Sequence, residues 1–380
     1  MSILFTEINE GKVMVSRRDF LKITGGGFIL SAAALGGFIG TRTPYKALSP
    51  WLNAGQYEDL RLKALSYAIL SPNPHNRQPW EIELIGENKI KIYRNKEKNL
   101  PETDPFDRQL TIGMGCFIET LSISSKEFGL SSQVSYFPNG DNGPVAEVLF
   151  VKEPQDKDPL FNSILDRRSC KEPFSDQSLS DKQIKDLGSF GEVYYKEKDV
   201  EDLKRITWES WLVEYKTSRT LQESIDLMRF GKNEINQSPD GIDIGGAFLE
   251  TLGLTGLINE HTMAEPGTMA YQTGIDMYDE MLNSTPNYIL LRTDSNDRYN
   301  QIDVGRLWTR LNLTTTAMGL SIHPCSQALQ EYPEMKDLYD NIHQSYASKG
   351  LTIQMLGRLG YGPSLPPSPR WSIEDKLRRA

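Results

Sequence analysis

The chain alternates between short runs of two different periods. Leu60, Leu62, Leu65, Ala68 and Ile69 give the stretch from Tyr57 to Leu70 one apolar side, which predicts a helix. Glu81–Ile85 and Lys89–Arg94 alternate around Gly86-Glu87-Asn88 and predict a β-hairpin. A mostly apolar run from Ile112 to Phe128, closed by Gly129, predicts a long helix with a glycine stop. Val145–Val151 reads as a strand, and the polar stretch 153–159 as a linker. Further on, Phe161–Arg168, Asp181–Leu187 and Val200–Leu212 predict helices. Asn287–Arg292 and Leu351–Leu356 predict strands, and Val304–Met318, closed by Gly319, another helix. Runs of strands mixed with helices of this kind predict an α+β fold with mixed or antiparallel sheets flanked by helices.

A shift of 190 residues aligns two of these segments without a gap. Asp107-Arg108 falls on Asp297-Arg298, Ile112 on Ile302, Gly115 on Gly305, Leu121 on Leu311, and Gly129-Leu130-Ser131 on Gly319-Leu320-Ser321. Those are 8 identities in the 25 positions from 107 to 131. Ordinary composition gives roughly one or two. Two amphipathic helices can coincide, but the pattern favours an internal duplication, with two similar halves packed as a pseudo-dimer. The expected organisation is a terminal segment 1–45, a first half 57–155, and a second half 160–380 interrupted by an insertion at 219–285. The insertion is rich in Gly, Met, Thr and Asn, and long insertions are often lids. A surface decoration is the other reading.

Composition excludes several classes. The net charge is −9 over 380 residues, which argues against a nucleic-acid partner. The cysteines Cys116, Cys170 and Cys325 are far apart, and the four histidines show no ligand spacing, so no structural metal is expected. Near the start, Ser16-Arg17-Arg18-Asp19-Phe20-Leu21-Lys22 precedes an uncharged run from Ile23 to Gly40. That pattern resembles a twin-arginine export signal, read by the twin-arginine translocase. It predicts a protein in the periplasm or on the outer face of the cytoplasmic membrane, with the segment cleaved or kept as an anchor.

Two loops carry candidate chemistry. Ser71-Pro-Asn-Pro-His-Asn-Arg-Gln-Pro-Trp80 holds three prolines in ten residues, so it is neither helix interior nor central strand. It presents Asn73, His75, Asn76 and Gln78, which both donate and accept hydrogen bonds. A stiff loop of this kind suits a flat ligand such as a flavin ring, or serves only as a helix-to-strand connection. Trp80 reads as core. The second loop, Arg167-Arg168-Ser169-Cys170-Lys171, sets guanidinium groups beside a hydroxyl, a phosphate grip or simply solvated charge.

Together, the Arg-Arg-Ser-x-Lys segment and the Asn73–Trp80 loop resemble the two hallmark motifs of the FMN-dependent nitroreductase family, over roughly 57–371 outside the insertion. The duplication is similar to its single-chain, Acg-type branch. The resemblance implies a nitroreductase-like fold and one FMN per monomer, held between the halves. It implies hydride or electron transfer at flavin N5 to or from a small organic substrate, with a quinone or redox protein as donor outside the cytoplasm. It assigns Arg167 and Ser169 to the phosphate or ribityl chain and Lys171 to the pyrimidine edge. Asn73, His75, Asn76 and Gln78 would contact the ring, although Asn73 stands where the family pattern has Ser. The bend His323-Pro324-Cys325-Ser326-Gln327 would offer backbone N–H to N5, with His323 the one titratable group beside the ring. Arg370 would reach the phosphate. A non-catalytic FMN storage protein, with the insertion over the flavin, is the alternative.

Overall fold

The computed structural model describes residues 41–378 apart from 155 and 349. The twin-arginine segment lies outside them. In chain order the helices and strands are α1 (Tyr45–Leu52), α2 (Leu60–Ala68), β1 (Trp80–Ile85), β2 (Lys89–Arg94), α3 (Arg108–Glu127), β3 (Leu130–Tyr136) and β4 (Ala146–Lys152). Next come α4 (Asp181–Leu187), β5 (Glu192–Tyr194), α5 (Glu197–Lys216), α6 (Ser218–Asp226), β6 (Met228–Phe230), α7 (Gly231–Gln237), β7 (Ile242–Ile244), α8 (Ala247–Leu254), α9 (Glu260–Ala264) and α10 (Met269–Asn283). The chain ends with β8 (Asn287–Thr293), α11 (Arg298–Ala317), β9 (Ser321–Pro324), α12 (Lys336–Tyr346), β10 (Thr352–Gly360) and α13 (Ile373–Lys376). The expected α+β class is what the structure has.

Two four-stranded antiparallel sheets carry the fold, in the orders β1-β2-β4-β3 and β5-β8-β10-β9. Each is an outer strand, an inner strand, a long helix and a returning pair, so the two halves share one topology. The long helices start earlier than their apolar runs predict. Asp297 explains one case: its carboxylate accepts the Asn300 N–H at 2.9 Å and caps the helix seven residues before the first expected position, Val304. The helix expected at Phe161–Arg168 shrinks to a 3-10 turn, Pro159–Ser163. Beyond it the chain turns so that Arg167 points inward, and its guanidinium donates to the Leu70 carbonyl at 3.1 Å.

The halves meet where α3 crosses α11, and the shifted alignment reappears as contact. A Cβ on Gly115 would lie 2.2 Å from the carbonyl oxygen of Ile302, and one on Gly305 2.0 Å from that of Ile112. Only glycine lets the backbones approach so closely. Ile112 and Ile302 are equivalent under the 190-residue shift, as are Gly115 and Gly305, so the contact is reciprocal, like an isologous two-fold interface. The cores are exchanged in the same sense. Ile302 packs into the core of the first half and Ile112 into that of the second. Beside the crossing, buried Glu119 bridges Arg306 at 2.7 Å and Arg310 at 2.5 Å, and Arg310 also reaches Asp158 at 2.6 Å. Trp80 is core as expected, stacked on Phe117 at 4.8 Å.

Gly115→Ala and Gly305→Ala are each expected to destabilise the chain by about 1–3 kcal/mol, the usual cost of overpacking a tight contact. Equilibrium urea unfolding of the two variants measures this.

Candidate functional site

The crossing brings the start of the second half against the proline loop of the first. Loop 71–78 is held in a conformation side chains resist. His75, Asn76 and Gln78 have φ of 46°, 52° and 47°, three non-glycine residues in the left-handed region within four positions. Such conformations persist only where the surroundings over-determine them, and they cluster at functional sites. Here the surroundings are visible. Gln78 is fully buried; its amide donates to Pro239 O at 2.6 Å and accepts the Trp371 N–H at 2.9 Å. Asn76 donates to Pro369 O at 3.1 Å and accepts from Arg370. Asn73 accepts the Gln78 N–H at 2.7 Å and donates to Ser71 O at 3.2 Å.

This corrects one expectation. Asn73, Asn76 and Gln78 spend their amides on the protein and act as braces rather than as a ligand-facing row. Of the four, His75 is half-buried and is the titratable one. Burial, aided by the charges of Lys171 and Arg77, pushes its pKa down to about 4, so it is neutral at ordinary pH.

Under the loop lies a cluster of guanidinium groups. Arg167 and Arg370 are buried, and Arg168 is partly so. Arg168 and Arg370 both lie over the Trp51 ring, 4.6 and 5.6 Å from its centroid. Trp51 comes from α1, which sequence analysis left unassigned. It is fixed by its indole N–H on Ser368 O at 2.8 Å and by the Arg370 N–H on Ala47 O at 2.8 Å. Arg370 also donates to Leu70 O and Ser71 O. Even so, Arg167 Nη1 and Arg370 Nε are buried without any acceptor. Burial and the neighbouring arginine charge hold Arg167 down to about 10, and burial with Arg167 and Arg168 holds Arg370 well below the arginine range. Clustered cations with unspent donors make an anion site, although the Ser368 hydroxyl accepts from Arg370 at 2.7 Å and the charge of Asp166 acts on Arg168.

Lys171 lies farther along the same loop; its side chain is exposed, while desolvation by the groups packed around it lowers its pKa. Its charge is felt by His75, by His323, and by the carboxyls of Glu214 on α5 and Asp243 on β7. Ser169, half-buried, lies between Lys171 and the arginines along the loop. The loop is stitched down by Cys170, whose N–H donates to Ile322 O at 3.1 Å, and by Arg358 on β10, which donates to Cys170 O at 2.9 Å. His323 is buried beneath, and burial, with the charges of Arg358 and Lys171, holds it neutral.

The bend at 323–327 requires a second correction. Pro324 has no N–H, and the Cys325 N–H donates to Leu356 O at 2.8 Å within the sheet. The donors left over are those of Ser326 and Gln327, at the open start of a 3-10 turn whose first residue gives no side-chain cap. Cys325 is a buried thiol pushed up to about 11 by burial.

The insertion packs against the proline loop. The Gly241 N–H donates to Asn76 O at 3.2 Å, and the carboxylate of Asp240, with no exposed surface, meets Arg77 at 3.3 Å, Lys98 at 2.5 Å and Arg229 at 3.5 Å. Sequence reasoning missed Trp51, Arg358, Glu214, Asp240 and Asp243. None sits in a motif; a tryptophan just before the first predicted helix was the one available signal.

No family model matches the chain. Over 332 residues it is 23% identical to two curated proteins of Mycobacterium tuberculosis, from strains CDC 1551 / Oshkosh and ATCC 25618 / H37Rv, whose names class them as NAD(P)H nitroreductases; 82% of this chain and 89% of each of theirs is covered. A solved structure of the FMN-dependent nitroreductase NfnB from Mycobacterium smegmatis, in complex with NADPH, is 14% identical. It covers 56% of this chain and 94% of its own, with a TM-score of 0.35. The curated similarity runs through both halves and points to a nitroreductase-type oxidoreductase; the fold described above rests on this chain's own strands.

Replacing Asp240 by Ala leaves Arg77 buried without its counter-charge. A loss of about 3–5 kcal/mol is expected, as for other broken buried ion pairs, read by urea unfolding.

Proposed function

We propose that the chain is an FMN-dependent oxidoreductase of the nitroreductase type, holding one flavin between two halves that arose by duplication. The observation that carries this is the pair of buried, acceptorless guanidinium nitrogens on Arg167 and Arg370, joined by Arg168. The phosphate group of FMN would match them in charge and in its need for N–H donors. From that end, Ser169 would meet the ribityl chain, and Lys171 would lie along the pyrimidine edge, where a positive charge favours an anionic reduced ring. His75 and the N–H groups of Ser326 and Gln327 would border the ring, with Pro324 and Cys325 shaping the bend. When bound, the flavin supplies a hydride-accepting and hydride-donating atom; the protein supplies position and electrostatics. The substrate would be a small organic molecule.

The sequence-level signal at Arg17-Arg18 supports export by the twin-arginine route, and the reciprocal packing of the halves supports a monomer that needs no second copy. The insertion, pinned by Asp240 over the loop, supports a cover for the ring. A closed cover also favours a second reading, FMN storage with little turnover. Adding NADPH and a nitroaromatic to the flavin-loaded protein separates the two, since a storage protein leaves both unchanged.

Arg167→Met and Arg370→Met each remove a charged donor worth about 1.5–3 kcal/mol. FMN affinity is expected to fall about 10- to 100-fold in each. Fluorescence titration of apo-protein with FMN and with riboflavin measures it. The loss should appear for FMN and not for riboflavin, which lacks the phosphate. Equal losses for both would remove the phosphate assignment.

A further inference from the structure

The connections that follow β3 and β9 differ between the halves, and the difference leaves a hollow in the first. The 190-residue shift sets β3 on β9, and the strand pairing keeps that register: Pro324 faces Gly357, and its counterpart Val134 faces Val148. Counting back along β10 and β4 brings Val145 level with Gln354, the bulged residue of β10. In the second half, β9 is joined to β10 by the long connection 325–351, which includes α12. That connection closes over Arg108, the first residue of α3. The Arg108 guanidinium donates to the carbonyls of Gln354 at 2.8 Å and Leu329 at 2.7 Å, and its Nε meets the Glu331 carboxylate at 3.3 Å. In the first half, β3 is joined to β4 by the short turn 137–145. There the counterpart of Arg108, Arg298 at the start of α11, lines an open hollow of about 370 Å³ with Tyr93, Arg94, Thr111, Phe137 and Val145.

Arg298 keeps donors that Arg108 has spent. Its Nη1 donates to Thr111 Oγ1 at 3.2 Å and to Gln301 Oε1 at 2.9 Å. Among the described residues its Nε and Nη2 make no hydrogen bond, and no carboxylate pairs with it. That edge of a guanidinium matches the two oxygens of a carboxylate. Arg94 is already held by Asp107 at 2.6 Å, and Arg378 lies 3.8 Å from Glu81, so Arg298 is the guanidinium of the hollow left for a ligand. Exposed Lys96, Glu97 and Asp141 also line the hollow and leave it little net charge, which favours a monoanion over a phosphate. Phe137 supplies a wall. Its φ of 44° is one that a bulky side chain rarely adopts, and it is held there by its N–H on Val145 O at 2.9 Å and by the Gly140 N–H on its own carbonyl at 2.9 Å. Its ring meets Tyr299 edge-on at 5.4 Å, and the Tyr93 ring carries Arg378 on one face at 4.1 Å. Two rings beside one unspent guanidinium edge suit a flat apolar body with a single acid group.

We infer that this hollow is a second binding site, for a small aromatic carboxylate. The ligand's carboxylate takes the place toward Arg298 that Glu331 has toward Arg108, a group the short turn 137–145 does not supply. None of its residues belongs to the arginine or proline loops, so the inference is independent of the flavin reading.

Fluorine NMR titration of the full chain tests this, with 4-fluorobenzoate and with 4-fluorobenzamide, which has nearly the same shape and no charge. Saturable binding of the benzoate at about 1 mM or tighter is expected, with the benzamide about tenfold weaker. R298M should weaken the benzoate about tenfold, and R298K, which keeps the charge without the fork, about threefold. In F137G the glycine accepts the left-handed backbone, so the ring is lost and the cation kept; both ligands should weaken alike. If R298M does not fold, F137G and the comparison of the two ligands still decide. No binding of the benzoate, equal affinity for the two ligands, or benzoate binding unchanged in R298M or F137G would overturn the proposal. So would an acetyl-Leu-Gln-Glu-amide peptide that binds where the benzoate does not, because the hollow would then take an acidic segment of a protein partner.

Discussion

The structure depends on the close backbone crossing of α3 and α11. Gly115 and Gly305 have no side chains there because a carbonyl of the opposite helix occupies the place of each Cβ. The approach is reciprocal, so each core takes an isoleucine from the other half. Everything chemical follows from it. Leu70 and Arg167 are 97 positions apart, and with the two halves packed across this crossing the Arg167 guanidinium meets the Leu70 carbonyl.

The resulting site is asymmetric although its scaffold is not. The arginines and the proline loop meet once, and the other parts have no counterpart in the repeated segments. These are Trp51 from α1, Arg370 from the tail of the second half and Asp240 from the insertion. They stabilise a loop carrying three left-handed residues, a conformation that no local sequence preference would sustain. The insertion thus acts as a brace, through the Asp240 contacts to Arg77 and Lys98.

Much of the fold was legible in the sequence because strands and helices there announce themselves by period. The hairpin at 80–94 and the glycine-closed long helices were of this kind, and the 190-residue shift paired the two long helices without showing that they cross. Helix starts were less legible, since a capping Asp such as Asp297 sets the boundary ahead of the apolar run. Of the candidate site, Arg167 and Arg370 lie close enough to act on each other's charge, and the Lys171 charge reaches His75 and His323. The amides of Asn73, Asn76 and Gln78 misled because sequence shows that a side chain can form hydrogen bonds but not with what. Glu214 and Trp51 were invisible for the opposite reason: nothing near them in sequence is unusual, and their surroundings are made by tertiary packing.

The central claim is a single flavin site built across two halves. Native mass spectrometry of the chain reconstituted with excess FMN tests it most directly. The account predicts one FMN bound to one polypeptide. Two flavins per chain, or one flavin bound only by a pair of chains, would contradict it.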